Sequence, residues 1–204
     1  MKITSFIALC LFFVGVYSCG SGNQPQKEIQ TYSFDPSSVI LEWTAFKFTE
    51  KKGVKGTFND VEIKADVSTG TADAVAKSLH FTLNPASVNT DNPERDTKIS
   101  KLFFGALKGS KISGKILDFV GKDQAKIELT LNDQKQVITG KYLLEAGSFV
   151  LEAKIDVLNF GAEAGLKALN EACKDLHTGT DGVSKLWSEV DLLFSTELKP
   201  TSAK

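Results

Sequence analysis

The stretch from Ser87 to Phe104, SVNTDNPERDTKISKLFF, holds the only arginine of the chain, Arg95, directly beside an acid, Asp96. A guanidinium is a rigid fork of several donors that binds a carboxylate or several carbonyls in fixed geometry, which a lysine ammonium cannot reproduce. Adjacent residues on a helix point in different directions, so Arg95 and Asp96 each need a partner elsewhere. Two roles follow. In the favoured one Arg95 pins a helix to nearby strand ends, Asp96 caps neighbouring backbone or hydroxyl groups, and Phe103 and Phe104 are held over one end of the fold. In the other, Arg95 meets the polar head of a ligand.

Little else has catalytic spacing. His80 and His177 lie far apart, each on an expected polar face or helix end, with no third ligand at motif distance, so no metal site is expected. Ser184 and Ser188 flank Trp187 without a His–Asp arrangement, and G-x-S-x-G, H-E-x-x-H and glycine-rich phosphate loops are absent from the sequence. Cys173 falls on the apolar stripe of a helix and reads as core rather than as a nucleophile. The formal net charge of −1 offers no basic surface for nucleic acid. These observations point away from an enzyme and call for no cofactor.

The elements that carry these residues are mostly strands. Period-two alternation runs through Ser38–Thr49, Val54–Phe58, Leu79–Leu83, Ile112–Ile116, Ile127–Leu131, Val137–Leu144, Phe149–Val157 and Val190–Phe194. Hairpin-length links such as Asn132-Asp133-Gln134 and Ala146-Gly147 make neighbours antiparallel. The expected fold is therefore all-β with helical insertions: an eight-stranded antiparallel up-and-down β-barrel, since closure removes exposed edges. A two-sheet sandwich is the competing architecture. One helix is expected to start at Asn92, with Pro93 in its first turn, and to end near Gly105; Ile99, Leu102 and Phe103 share its apolar face. A second runs from about Ala162 to His177, with Leu166, Leu169, Cys173 and Leu176 as its stripe. An eight-stranded barrel either fills with side chains or holds one small ligand. Small Gly56, Gly114 and Ala153 leave room between large residues, and the candidate ligand wall is Phe58, Phe81, Leu83, Phe103, Phe104, Phe149, Leu151 and Phe194. A solid core without ligand is the other reading.

The same residues resemble a known family. Ser87, Thr90, Arg95, Asp96, Phe103 and Phe104 are similar to the signature of the YceI-like proteins, the polyisoprenoid-binding, lipocalin-like proteins of bacteria. Asp35-Pro36-Ser37-Ser38-Val39 with Trp43, the Gly53-Val54-x-Gly56-x-Phe58 step and Val190-Asp191-Leu192 before Phe194 extend the resemblance over about Tyr32 to Leu198. Lys47 stands where that family often has a His-like position, and Ala162–Gly182 is longer and more helical than a simple hairpin. The resemblance implies a barrel whose elongated cavity takes a long apolar chain, a polyprenyl lipid or a quinone tail, and no catalytic residues.

The ends of the chain suggest export. Met1-Lys2 followed by apolar Ile3–Val16 reads as a signal peptide over 1–18. Cys19 follows a small residue, as in a lipobox, and the polar, flexible 19–31 suits a tether. Plain cleavage near Ser18 is the alternative to lipidation of Cys19. The barrel domain then spans 32–199, with a tail at 200–204. With Cys10 removed and Cys19 lipidated, Cys173 has no partner for a disulfide. Gly20-Ser21 lacks the acidic residue associated with inner-membrane retention in some bacteria. The expected location is therefore the periplasm, with a lipid anchor in the outer membrane.

Overall fold

The computed structural model describes residues 29–201. The expected signal peptide, Cys19, the tether up to residue 28 and tail residues 202–204 lie outside the described residues. In chain order the strands are β1 (Thr31–Ser33), β2 (Ile40–Lys47), β3 (Lys52–Phe58), β4 (Val61–Ala65), β5 (Thr69–Gly70), β6 (Leu79–Leu83), β7 (Val88–Asn89), β8 (Ile112–Val120), β9 (Gln124–Leu131), β10 (Gln134–Glu145), β11 (Ser148–Asp156), β12 (Leu186–Glu197) and β13 (Lys199–Thr201). The α-helices are α1 (Ala72–Lys77), α2 (Pro93–Lys98), α3 (Glu163–Ala172) and α4 (Lys174–His177).

Ten of these strands form one curled antiparallel sheet in the order β4-β6-β8-β9-β10-β11-β12-β2-β3-β7. The count is ten and not the expected eight. The two additions, β4 and β7, are short, and each is set off by turn chemistry. Asn59-Asp60 interrupts the run from β3 to β4. A 3₁₀ turn at Pro85–Ser87, capped by Asn84 Oδ1 accepting from Ala86 N at 3.0 Å, separates β6 from β7. Backbone bonds cross both breaks together: Asn59 N donates to Ser87 O at 2.9 Å and Asn84 N donates to Asp60 O at 3.0 Å. On the other side β2, the first long strand, pairs with β12, the last, with Ile40 opposite Ser195 and Leu41 opposite Phe194.

Two-residue turns fix the register of the long central strands. Asn132-Asp133 joins β9 to β10 and Ala146-Gly147 joins β10 to β11, all four with positive φ. That backbone matches the right-handed twist of a hairpin. At Gly147 (φ +93°) a side chain has no room, because a Cβ would meet Leu198 O at 2.6 Å and the Tyr32 ring at 2.8 Å.

The strands have two ends of opposite character. At the end holding the β10–β11 turn, a three-stranded sheet β13-β1-β5 lies beside α1, whose Val75 and Ala76 are fully buried. Thr31 of the expected tether and Pro200 and Thr201 of the expected tail belong to this small sheet. We call this end the floor. The other end, the roof, carries α2 with its continuation and the α3–α4 segment. The apolar interior forms two clusters accordingly, one around Phe149 and one around Leu131, Val157 and Phe160.

Candidate functional site

Between floor and roof the curled sheet encloses a cavity of about 200 Å³. Inward positions of the strands supply its sides: Leu41, Trp43 and Ala45 from β2, Leu129 and Leu131 from β9, and Leu151, Ala153 and Ile155 from β11. Each set steps by two residues, as one face of a strand must. Glu42 is the sole charged residue at the wall; it pairs with Lys55 at 2.6 Å. The indole N–H of Trp43 is buried and has no hydrogen-bond partner among the described residues. The surroundings are otherwise carbon.

The roof over this cavity is built by the segment that holds Arg95. Asn92 caps α2, its Oδ1 accepting from Arg95 N at 3.0 Å, and Pro93 occupies the first turn. The helix then widens into a π-helical turn at Ile99–Phe103, and Phe104 N reaches back to Ile99 O. A turn closed by i→i+5 bonds places residues four and five apart on a common side. Ile99, Phe103 and Phe104 therefore face the cavity together. An ordinary α-helical period predicts Ile99, Leu102 and Phe103 instead; Leu102 is not at the wall. Phe104 packs against Phe58 with centroids 5.9 Å apart and against Phe103 at 5.0 Å. Leu166 and Leu169 of α3 complete the roof, and α3 approaches so closely that a Cβ on Gly165 would stand 2.6 Å from Phe103 O.

Arg95 and Asp96 do not pair with each other. Both turn to Thr90, a buried residue just after β7. Arg95 Nε donates to Thr90 Oγ1 at 2.8 Å and Nη2 donates to Thr90 O at 2.9 Å. The Thr90 hydroxyl in turn donates to Asp96 Oδ1, which also accepts from Thr90 N at 2.9 Å. One threonine thus links fork and carboxylate and ties the first turn of α2 to the end of β7.

Seven of the eight expected wall residues surround the cavity: Phe58, Phe81, Leu83, Phe103, Phe104, Leu151 and Phe194. Phe149 does not. It is fully buried in the floor, among Phe119, Tyr142 and Phe194 at centroid distances of 6.0, 6.1 and 6.1 Å. Its position on β11 is inward, but it lies one pleat below Leu151. Gly56 and Gly114 do not leave empty space either. The Trp43 ring lies 2.3 Å from where a Gly56 Cβ would stand, and the Phe81 ring 2.4 Å from a Gly114 Cβ. Ala153 alone of the three small residues opens onto the cavity.

Trp43, Ile99, Leu166, Leu169 and Trp187 also line the cavity, and none of them was in the expected ligand wall. Trp43 and the two leucines had a signal in their strand and helix periodicity. Trp187 is held by contacts distant in sequence: its Nε1 donates to Phe48 O at 2.6 Å, while Lys51 and Lys185 lie over its ring at 4.2 and 3.8 Å.

The other polar groups singled out in the sequence do not line the cavity. Lys47 Nζ donates to Leu176 O at 3.0 Å, and burial, with Lys52 and Arg95 nearby, lowers its pKa. His177 is buried against Asn170, with Nδ1 and Oδ1 3.0 Å apart. Burial and the Lys47 charge hold its pKa below the ordinary value. Cys173 is a buried free thiol at the break between α3 and α4. The break turns Leu176 outward, 57% exposed, off the expected apolar stripe. His80 stands on the outer face near Ser78 and Asp66. Among the described residues no three His, Cys, Asp or Glu side chains could hold a metal ion together.

A curled sheet around a hydrocarbon-walled cavity agrees with the comparison by sequence: residues 32–198 match the YceI-like domain. The chain belongs to the YceI-like domain family. Solved structures share the fold at low sequence identity. A polyisoprenoid-binding domain from Saccharophagus degradans implicated in plant cell wall breakdown has a TM-score of 0.59 and 17% identity, over 83% of this chain and 98% of that one. BcnA of Burkholderia cenocepacia has a TM-score of 0.52 and 12% identity, over 82% and 99%. No curated protein matches the sequence. Within this YceI-like domain the segment from Thr90 to Phe104 builds one part of the roof and α3 the other.

Proposed function

We propose that this YceI-like domain holds one long apolar molecule, a polyisoprenoid or a quinone tail, for storage or transfer. The observation that carries the reading is the cavity wall: side chains of carbon from every long strand, roofed by Phe103 and Phe104. Burial of each methylene contributes about 0.8 kcal/mol before association and ordering costs. A chain of several prenyl units then binds without any directed polar contact. The fold shared with a polyisoprenoid-binding domain supports this. In this reading the sheet acts as a closed tube, an inference supported by the β2–β12 pairing and the backbone bonds across the Asn59 and Ser87 breaks. Phe58, Phe81, Leu83, Leu151 and Phe194 touch the guest, and Arg95 with Asp96 holds the roof in place. No catalytic step is assigned.

The same proposal places the domain on the periplasmic side of a membrane, tethered through lipid on Cys19. The thirteen residues from Cys19 to Thr31, twelve steps of chain, span at most about 43 Å. Since β1 lies at the floor, the tether would leave the domain at that end.

Native mass spectrometry of protein purified gently from its own cells tests the binding reading. A co-purified hydrophobic mass is expected. An empty barrel that also rejects fluorescent lipid probes overturns it in favour of a structural barrel without ligand. Metabolic labelling with palmitate tests the anchor: label is expected on the wild type and absent from Cys19→Ser.

A further inference from the structure

The cavity stops well before the sheet does. Strand register locates the stop. Leu41 is opposite Phe194, Phe194 is opposite Leu151, and Leu151 is opposite Tyr142, so these four side chains form one row across β2, β12, β11 and β10. Leu41, Phe194 and Leu151 border the cavity; Tyr142 does not. The Tyr142 ring is occupied by Phe119, stacked on it at 4.2 Å and 19°. Directly beneath lies Phe149, fully buried, and below that the buried Val75 and Ala76 of α1. Beyond the row these side chains pack against one another in a single apolar cluster.

From this floor the wall rises along β11 from Leu151 and ends at Val157, just past the strand, six residues and roughly 20 Å on. With the usual tilt of barrel strands that is a depth of about 15 Å. The floor is strand-borne, and its rings are locked by the ladder on either side. The roof is helical, lies outside the ladder and is tied to it at Thr90. A guest can therefore lengthen only toward the roof.

We infer that the row Leu41–Phe194–Leu151 is a chain-length ruler: it meets the tail end of the guest and sets the longest chain that is fully buried. This rests on the binding reading above. Phe194 is the residue that decides it, because it borders the cavity on one side and the Phe149 ring on the other. Methylenes between floor and roof gain burial; those beyond the roof emerge into water and gain nothing.

Displacement of the apolar fluorophore phenylnaphthylamine by straight-chain alcohols, octanol to docosanol, from lipid-stripped full-length protein tests the ruler. The Kd is expected to fall about fourfold per added methylene and then to level at a definite length. Phe194→Ala is expected to move that length upward. Ala153→Leu, one pleat above Leu151, is expected to move it downward. If Phe194→Ala does not fold, Ala153→Leu decides alone. A steady gain through the whole series, or an unmoved cut-off in the folded variants, overturns the ruler and leaves the binding reading standing. Failure of the wild type to bind either the fluorophore or any alcohol overturns the binding reading itself.

Discussion

The two ends of the barrel use the same kind of side chain for opposite purposes. At the floor, Phe119, Tyr142, Phe149 and Phe194 stand on four adjacent or facing strands and fill the lumen with rings 4.2 to 6.1 Å apart. At the roof, Phe103 and Phe104 stand on one short helical segment, half-buried, with the cavity beneath them. A ring on a central strand is held by backbone bonds to both neighbours and cannot shift without its ladder. A ring on the helical turns that follow the six-residue α2 is held by packing and by the polar tie at Thr90. Aromatic content therefore does not decide whether a barrel is hollow; the element that carries the rings does.

The largest effect that would break this contrast is in stability. Phe149→Ala removes a fully buried ring from a floor that cannot collapse around the gap, and should cost about 3–5 kcal/mol. Phe103→Ala removes a half-buried ring that borders the cavity, and should cost about 1–2 kcal/mol. Denaturant unfolding of lipid-stripped protein measures both. Probe affinity should reverse the order, falling more for Phe103→Ala. Equal losses of stability at the two positions would mean that floor and roof are one cooperative core, and the contrast would fail.

A smaller effect isolates the tie itself. Thr90→Val keeps the shape of the threonine but removes the hydroxyl that accepts from Arg95 and donates to Asp96. Two charged groups lose a partner in a part-buried site, at a cost of about 1–3 kcal/mol. Arg95→Lys keeps the charge, but one ammonium cannot reproduce the fork over Thr90 Oγ1 and O, and about 1 kcal/mol should be lost. Neither should change probe affinity beyond the effect on folding. An Arg95→Lys protein as stable as wild type but unable to hold lipid would assign Arg95 to a ligand head instead.

The sequence made this contrast only half legible, and the reasons are local. The alternation in β9, β11 and β12 identified inward faces, because period two needs no tertiary information. The Asn92–Pro93 start of α2 was readable from capping chemistry. Depth along a strand was not. Phe149 and Leu151 both point inward, and only the register with Tyr142 and Phe194 separates a floor residue from a wall residue. The glycines misled for a related reason: the space beside Gly56 and Gly114 is filled by Trp43 and Phe81 from neighbouring strands, which composition cannot reveal. The strand count missed β4 and β7 because they are short and set apart by turns at Asn59-Asp60 and Pro85–Ser87. The π-helical turn, which rotates Phe104 rather than Leu102 into the cavity, has no single-residue signature at all.

The smallest expected effect concerns acid. His177 sits in the roof, its ring against Asn170, whose Oδ1 also accepts from Ser184 Oγ at 3.4 Å, with the Lys47 ammonium nearby. Burial first, then that charge, holds its pKa below the ordinary 6.5. The unfolded chain therefore binds a proton at a higher pH than the folded one. The stabilising contribution is complete above about pH 6.5 and is lost as pH falls from there toward the lowered folded-state value. The surface carboxylates, among them Asp35 paired with Lys199 and Glu94 paired with Lys98, have pKa values held below their ordinary ones by those lysines and so act later in an acid titration. The first loss on acidification is thus assigned to the roof. His177→Gln should flatten the stability profile just below pH 6.5, seen as a smaller difference between unfolding midpoints at pH 7 and pH 5.5 than in wild type. Hydrogen exchange should locate the softening in Glu163–His177 while β10 and β11 stay protected. If floor and roof lose protection together over that interval, the roof is not the separate, looser element that the contrast requires.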